Sequence, residues 1–207
     1  MSETRFWWVR HAPVVDNGAR VYGGAEIDAD TSDTALFAGL ARALPQNATF
    51  VASALARTRQ TLAAVKAQGR DDIPEAPALD SRLNEQSLGD WHGRPIAEVF
   101  PQGWPWPGFW MLEAATRPPG GESFADLCGR VEAAIHDLKE RHRGRDIVVA
   151  GHGGTIRAAL RLALDLPADA ALAFSVGHCS ITRIDHIDGA ARGEAWRVGA
   201  VNLSPGA

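Results

Sequence analysis

The chain has 207 residues, 45% of them hydrophobic, and a formal net charge of −4. That length buries a full core and predicts a single domain over 1–207, and the acidic balance excludes nucleic acid or an anionic membrane as the main partner, since both select strongly basic faces. Two cysteines, Cys128 and Cys179, are too few for a disulfide framework and have no metal-ligand spacing, so reduced thiols in a cytoplasm are expected.

The opening MSETRFWWV has only four consecutive apolar residues after an acidic start, which predicts neither a signal peptide nor a membrane span. Short β-rich runs then recur at 5–9, 49–53, 76–80, 146–151, 174–178, 180–187 and 194–202. The first, second and fourth of these have the composition of buried strands. Between them, apolar residues spaced by three and four predict helices near 33–43, 56–68, 123–142 and 154–164. Ser123, with Asp126 three residues on, forms a capping-box-like start for the third. Alternation of this kind predicts a three-layer α/β/α sandwich with a mostly parallel sheet, its last two strands joined as a hairpin. An irregular excursion spans about 84–123, rich in Gly, Pro and Trp, with short helices expected near 95–100 and 106–115.

In such a sheet, ligands bind outside the carboxyl ends of the strands. The first strand ends in Arg10 and His11, the second in Ser53 leading to Arg57, the third runs into Glu85, and the fourth ends in GHGGTIR, which contains His152, Gly153 and Gly154. Each residue alone has an ordinary explanation as surface charge, core histidine or turn glycine. Together, two guanidinium groups, two imidazoles and a helix amino terminus suit a phosphoryl group. A carboxylate among them fits a general acid and base, and a neutral histidine fits a nucleophile, so the set points to phosphomonoester hydrolysis through a phosphohistidine without a metal or cofactor.

These blocks resemble the histidine phosphatase superfamily over nearly the whole chain, in the style of the small bacterial α-ribazole phosphatases. Arg10 and His11 match the family's Arg-His-Gly signature, with Asn17 at the end of its fuller form. SALARTRQT follows Ser-x-Leu-x-Arg-x-x-Gln-Thr, and LNEQSLGDWHG, PPGGES and GHGG match three further blocks in order. The resemblance implies a phosphoglycerate mutase-like fold, with His11 as the phosphorylated residue. Arg10, Arg57 and His152 would hold phosphoryl oxygens and Glu85 would donate the proton, with Asn17 and Gly153 assisting. Tyr22, Gly23 and Gly24 are candidate substrate contacts in the loop that follows.

The chain departs from the pattern at Ala12, Pro13 and Val14, where two donors to phosphate are lost, and at His92, where a glutamate is usual. A Tyr-Gly element and an arginine pair typical of mutases are missing; only Arg117 precedes PPGG, which favours hydrolysis by water. The expected partner is a small phosphorylated substrate, α-ribazole phosphate among the candidates. Sugar phosphates, nucleotides, phosphoprotein, mutase-type transfer and a catalytically weak phosphate-ester binder stay open. Trp104, Trp106, Phe109 and Trp110 supply either a stacking wall or anchors for the excursion. The sequence does not reveal the oligomeric state.

Overall fold

The computed structural model describes residues 2–100, 112–190 and 193–205. Among these, six strands form one sheet: β1 (Glu3–Arg10), β2 (Thr49–Ala52), β3 (Ala78–Leu79), β4 (Asp146–Gly151), β5 (Ile181–Ala190) and β6 (Gly193–Leu203), in the order β3-β2-β4-β1-β5-β6. The first four are mutually parallel, and β5 and β6 form an antiparallel hairpin against β1. The expected mostly parallel α/β/α sandwich is therefore what the chain forms.

The layers follow from the two-residue period of the strands. Phe6 and Trp8 of β1, with Ile147 and Val149 of β4, pack against α4 (Phe124–Arg141) and α5 (Gly153–Leu164). Val9, Val148 and Ala150 point the other way, onto α1 (Thr34–Ala43) and α2 (Ala56–Lys66). Strand β1 thus leads to a helix on one face and its parallel neighbour β4 to a helix on the other. A crevice opens between their carboxyl ends, the place where such sheets bind ligands.

Helix α4 starts at Ser123, whose hydroxyl accepts from Asp126 N (3.1 Å) while Asp126 Oδ2 accepts from Ser123 N (2.8 Å), the capping box read from the sequence. A 3-10 turn at Ser81–Leu83 leads into the excursion, which holds another at Gly89–Trp91 and the four-residue α3 (Ile96–Val99). Of the helix expected at 106–115, residues 112–115 form a bend and a turn, and the remainder, with the Trp104–Trp110 stretch, lies outside the described residues.

The strand expected at 174–178 is a loop instead. Two of its carbonyls face side chains rather than a neighbouring strand: Val176 O accepts from Arg10 Nη1 (2.5 Å) and Phe174 O from Arg157 Nε (2.9 Å). A short α6 (Ala168–Ala171) precedes it. No helix among the described residues is long and apolar enough to cross a membrane.

Candidate active site

His11 follows the last residue of β1 and is 1% exposed. Its Nδ1 lies 2.7 Å from Ala12 O, an atom that only accepts, so Nδ1 carries the proton and Nε2 keeps its lone pair. Burial, then the charges of Arg57 and Arg10, hold its pKa well below 6.5, so the ring is neutral at ordinary pH. His152, at the amino terminus of α5, is fully buried, with its ring centroid 5.1 Å from that of His11. Burial foremost, then His11 and Arg57, keeps it neutral as well.

The block SALARTRQT has a position-by-position explanation. Ser53 Oγ lies 2.8 Å from His152 Nε2. That oxygen also accepts from Leu55 N and lies 3.1 Å from Thr58 Oγ1, so it ties the His152 ring to the start of α2. Arg57, fully buried, donates from Nη1 to Ala25 O and from Nη2 to Gly23 O, both at 2.7 Å, and lies 5.5 Å from the Tyr22 ring. Gln60 Oε1 accepts from Ala29 N (2.8 Å), and Thr61 Oγ1 accepts from Ala12 N (2.9 Å). One helix start therefore fixes the second histidine, the loop at 22–25 and the residue after the nucleophile.

Glu85 accepts from Gln86 N (3.0 Å) and Gly154 N (3.2 Å). A Cβ on Gly154 would sit 2.3 Å from Glu85 Oε1, and one on Gly153 would sit 3.0 Å from Arg157 Nη1 and 3.7 Å from Arg10 Nε. The GG pair is thus needed for close approach, not only for a turn. The stretch carrying Glu85 is clamped by Arg130 of α4, which donates to Arg82 O (2.6 Å) and Asn84 O (2.7 Å) and pairs with Glu122 (2.6 Å).

Glu85 and Arg10 border a cavity of about 190 Å³ with Tyr22 and Gly23. Val21, Leu88 and Ile96 form its apolar wall, and Arg20 and Gln86 add polar groups. Gly24 lies beside this cavity, against the Glu85 carbonyl, where a Cβ would come within 2.9 Å. Asn17 Nδ2 donates to Arg20 O (2.7 Å), bracing the loop that leads to Tyr22.

Residues 12–14 have structural duties. The Ala12 methyl is fully buried among the side chains of the α1 and α2 layer, Pro13 O accepts from Asp30 N (2.6 Å), and Val14 bridges to Ala29. His92 Nε2 accepts from Leu88 N (3.0 Å), closing the turn at 88–92. Arg117 is paired with Asp126 (2.7 Å).

Sequence reasoning missed Ser53 as a partner of His152, Arg130, Arg157 and His178. Arg157, one helical turn beyond His152, is 7% exposed, and burial, opposed by Glu85, brings its pKa down to about 10. The GHGGTIR run did carry that signal. His178, its ring 5.3 Å from His11, stood inside the run misread as a strand.

A family model, Histidine phosphatase superfamily (branch 1), matches residues 6–199. The chain is 31% identical over 229 residues to a glucosyl-3-phosphoglycerate phosphatase of Mycolicibacterium vanbaalenii, covering 99% of this chain and 96% of that one. It is 29% identical over 148 residues to a Yersinia pestis protein named "Probable phosphoglycerate mutase GpmB", covering 70% of this chain and 66% of the other. Among solved structures, the native mycobacterial glucosyl-3-phosphoglycerate phosphatase superposes with a TM-score of 0.80 at 26% identity, over 98% of this chain and 100% of that one. The order of the sequence blocks, the sheet and these relatives agree: the chain is a phosphatase that belongs to the histidine phosphatase superfamily.

Proposed function

We propose that the enzyme, acting as a single domain, hydrolyses a small phosphorylated metabolite through a phosphohistidine on His11, without a metal or cofactor. The observation that carries this reading is the His11 ring, neutral and held by Nδ1 on Ala12 O, so that Nε2 is the nucleophilic atom. In the first step the Nε2 lone pair forms a bond to phosphorus as the bond to the ester oxygen breaks, and Glu85 gives that oxygen its proton. In the second, Glu85 takes a proton from water, whose oxygen displaces the imidazole and yields inorganic phosphate. Arg10 and Arg57 neutralise the phosphoryl oxygens, and Ala12 O stabilises the positive charge on the phosphorylated ring.

The leaving group occupies the cavity beside Glu85, whose volume of about 190 Å³ suits a small alcohol rather than a protein segment. That Arg117 alone precedes PPGG, where mutases carry an arginine pair, favours hydrolysis over transfer to a second phosphorylated substrate. α-Ribazole phosphate and glucosyl-3-phosphoglycerate are the first two esters to assay, in a panel of metabolites and a generic aryl phosphate with chelator present. His11→Ala should abolish turnover; activity that survives it would remove His11 as nucleophile. Glu85→Gln should lower turnover of esters with poor leaving groups by on the order of a hundred to ten thousand times and affect an activated aryl phosphate far less. Equal loss with both would argue against its action on the leaving oxygen.

A further inference from the structure

Buried polar atoms without partners are rare in folded proteins, and each calls for an explanation. Among the described residues, four such atoms belong to the residues that surround the His11 ring: Arg10 Nε, Arg57 Nε, His152 Nδ1 and His178 Nε2. The first three belong to residues already expected to hold a phosphoryl group. The fourth comes from a residue that no motif reading singles out.

His178 is brought there by backbone geometry. Ser180 N donates to Gly177 O (3.2 Å), closing a turn with His178 and Cys179 at its corners. Cys179 N donates to Arg10 O (3.0 Å), Arg10 N to Ser180 O (3.2 Å), and the Arg10 guanidinium reaches Val176 O, so the turn is fastened to the residue before the nucleophile. Cys179 has φ +56°, a conformation that favours glycine, and its side chain is fully buried. Backbone strain of this kind persists only where the surroundings over-determine it. The two neighbours of β1 in the sheet therefore deliver one imidazole each, His152 after β4 and His178 before β5, with centroids 5.1 and 5.3 Å from that of His11.

We propose that His178 is a substrate-contacting residue whose Nε2–H donates to the phosphoryl group, closing the pocket on the side of His11 opposite His152. The assignment rests on the phosphohistidine reading of the site. A phosphoryl group offers several oxygens to donors arranged around one phosphorus, which is how donors from four different segments are satisfied at once. Burial, then Arg10, pushes the His178 pKa down to about 4, so the ring supplies a neutral donor and adds no charge beside the nucleophile.

The test compares wild type with His178→Phe, which keeps a ring without a donor, and His178→Asn, which keeps a donor without the ring. Each is titrated with inorganic phosphate by calorimetry, assayed on an aryl phosphate, and melted in phosphate-free buffer. The Phe variant should melt close to wild type, bind phosphate at least about tenfold more weakly, and lose on the order of a hundredfold in kcat/KM. The Asn variant should regain much of both losses. His178→Leu repeats the removal of the donor should Phe disturb folding. Phosphate binding within twofold of wild type in the Phe or Leu variant, or an Asn variant as impaired as Phe, would overturn the assignment. His11→Ala is run alongside: turnover that survives it overturns the nucleophile, while the phosphate titrations still decide the role of His178.

Discussion

At the scale of single residues, a neutral histidine is useful as a nucleophile only in the right tautomer, and one carbonyl oxygen sets it for His11. Ala12 O fixes the proton of His11 on Nδ1, and the Ser53 hydroxyl holds His152 by its Nε2 at 2.8 Å. His11 consequently presents a lone pair from Nε2, with His152 held beside it as a second buried neutral imidazole. Ser53→Ala should lower kcat/KM about tenfold, the equivalent of one hydrogen bond of roughly 1–1.5 kcal/mol, and weaken inorganic phosphate binding to a similar degree. Steady-state kinetics with a phosphate titration check this; an unchanged phosphate affinity would mean that Ser53 does not position His152 for the anion. The departures at Ala12 and Val14 belong to the same scale. They fill the α1 and α2 layer and the bridge to Ala29, and so serve packing.

At the scale of elements, the carboxylate is only as well placed as the segment that carries it. Residues 82–85 pair with no strand; their carbonyls converge on Arg130 of α4, which Glu122 holds in turn. Arg130→Met should cut kcat for an ester with a poor leaving group by about ten- to a hundredfold. An activated aryl phosphate should be affected far less, because the loss acts through Glu85. Equal loss on both substrates would point to general loosening of the loop. This clamp also shows what a sequence can disclose. The strand ends, the capping box at Ser123 and the order of the blocks depend on local spacing and were legible. Arg130 acts across 45 positions on Glu85, and nothing in its neighbourhood distinguishes it from other helix-surface arginines. The run 174–178 misled for a related reason: Val176 is buried like a strand residue, but its carbonyl serves a guanidinium, and composition does not reveal which partner a carbonyl meets.

At the scale of the whole molecule, burying a cluster of neutral imidazoles ties stability to pH. His11, His152, His178 and His92 all have folded pKa values below 6.5, chiefly through burial. The unfolded chain therefore takes up protons first as pH falls. Stability is fully present above about pH 6.5 and declines below it, by about 1.4 kcal/mol per pH unit for each group that stays neutral in the fold. For His178 this continues down to its folded value of about 4. Urea unfolding between pH 8 and 5 should show a midpoint that is flat above 6.5 and drops below it, and saturating inorganic phosphate should raise the whole curve. A midpoint independent of pH across that range would contradict the buried neutral cluster.

Arg57 has one further consequence. Its guanidinium is a rigid plane, and two of its nitrogens already grip the carbonyls of Gly23 and Ala25 in the loop that borders the leaving-group cavity. The group proposed to neutralise the phosphoryl oxygens therefore also anchors the cavity wall. No side chain intervenes between that plane and the backbone at Gly23, so a substitution at Arg57 alters the shape of the cavity wall together with the proposed anion pocket.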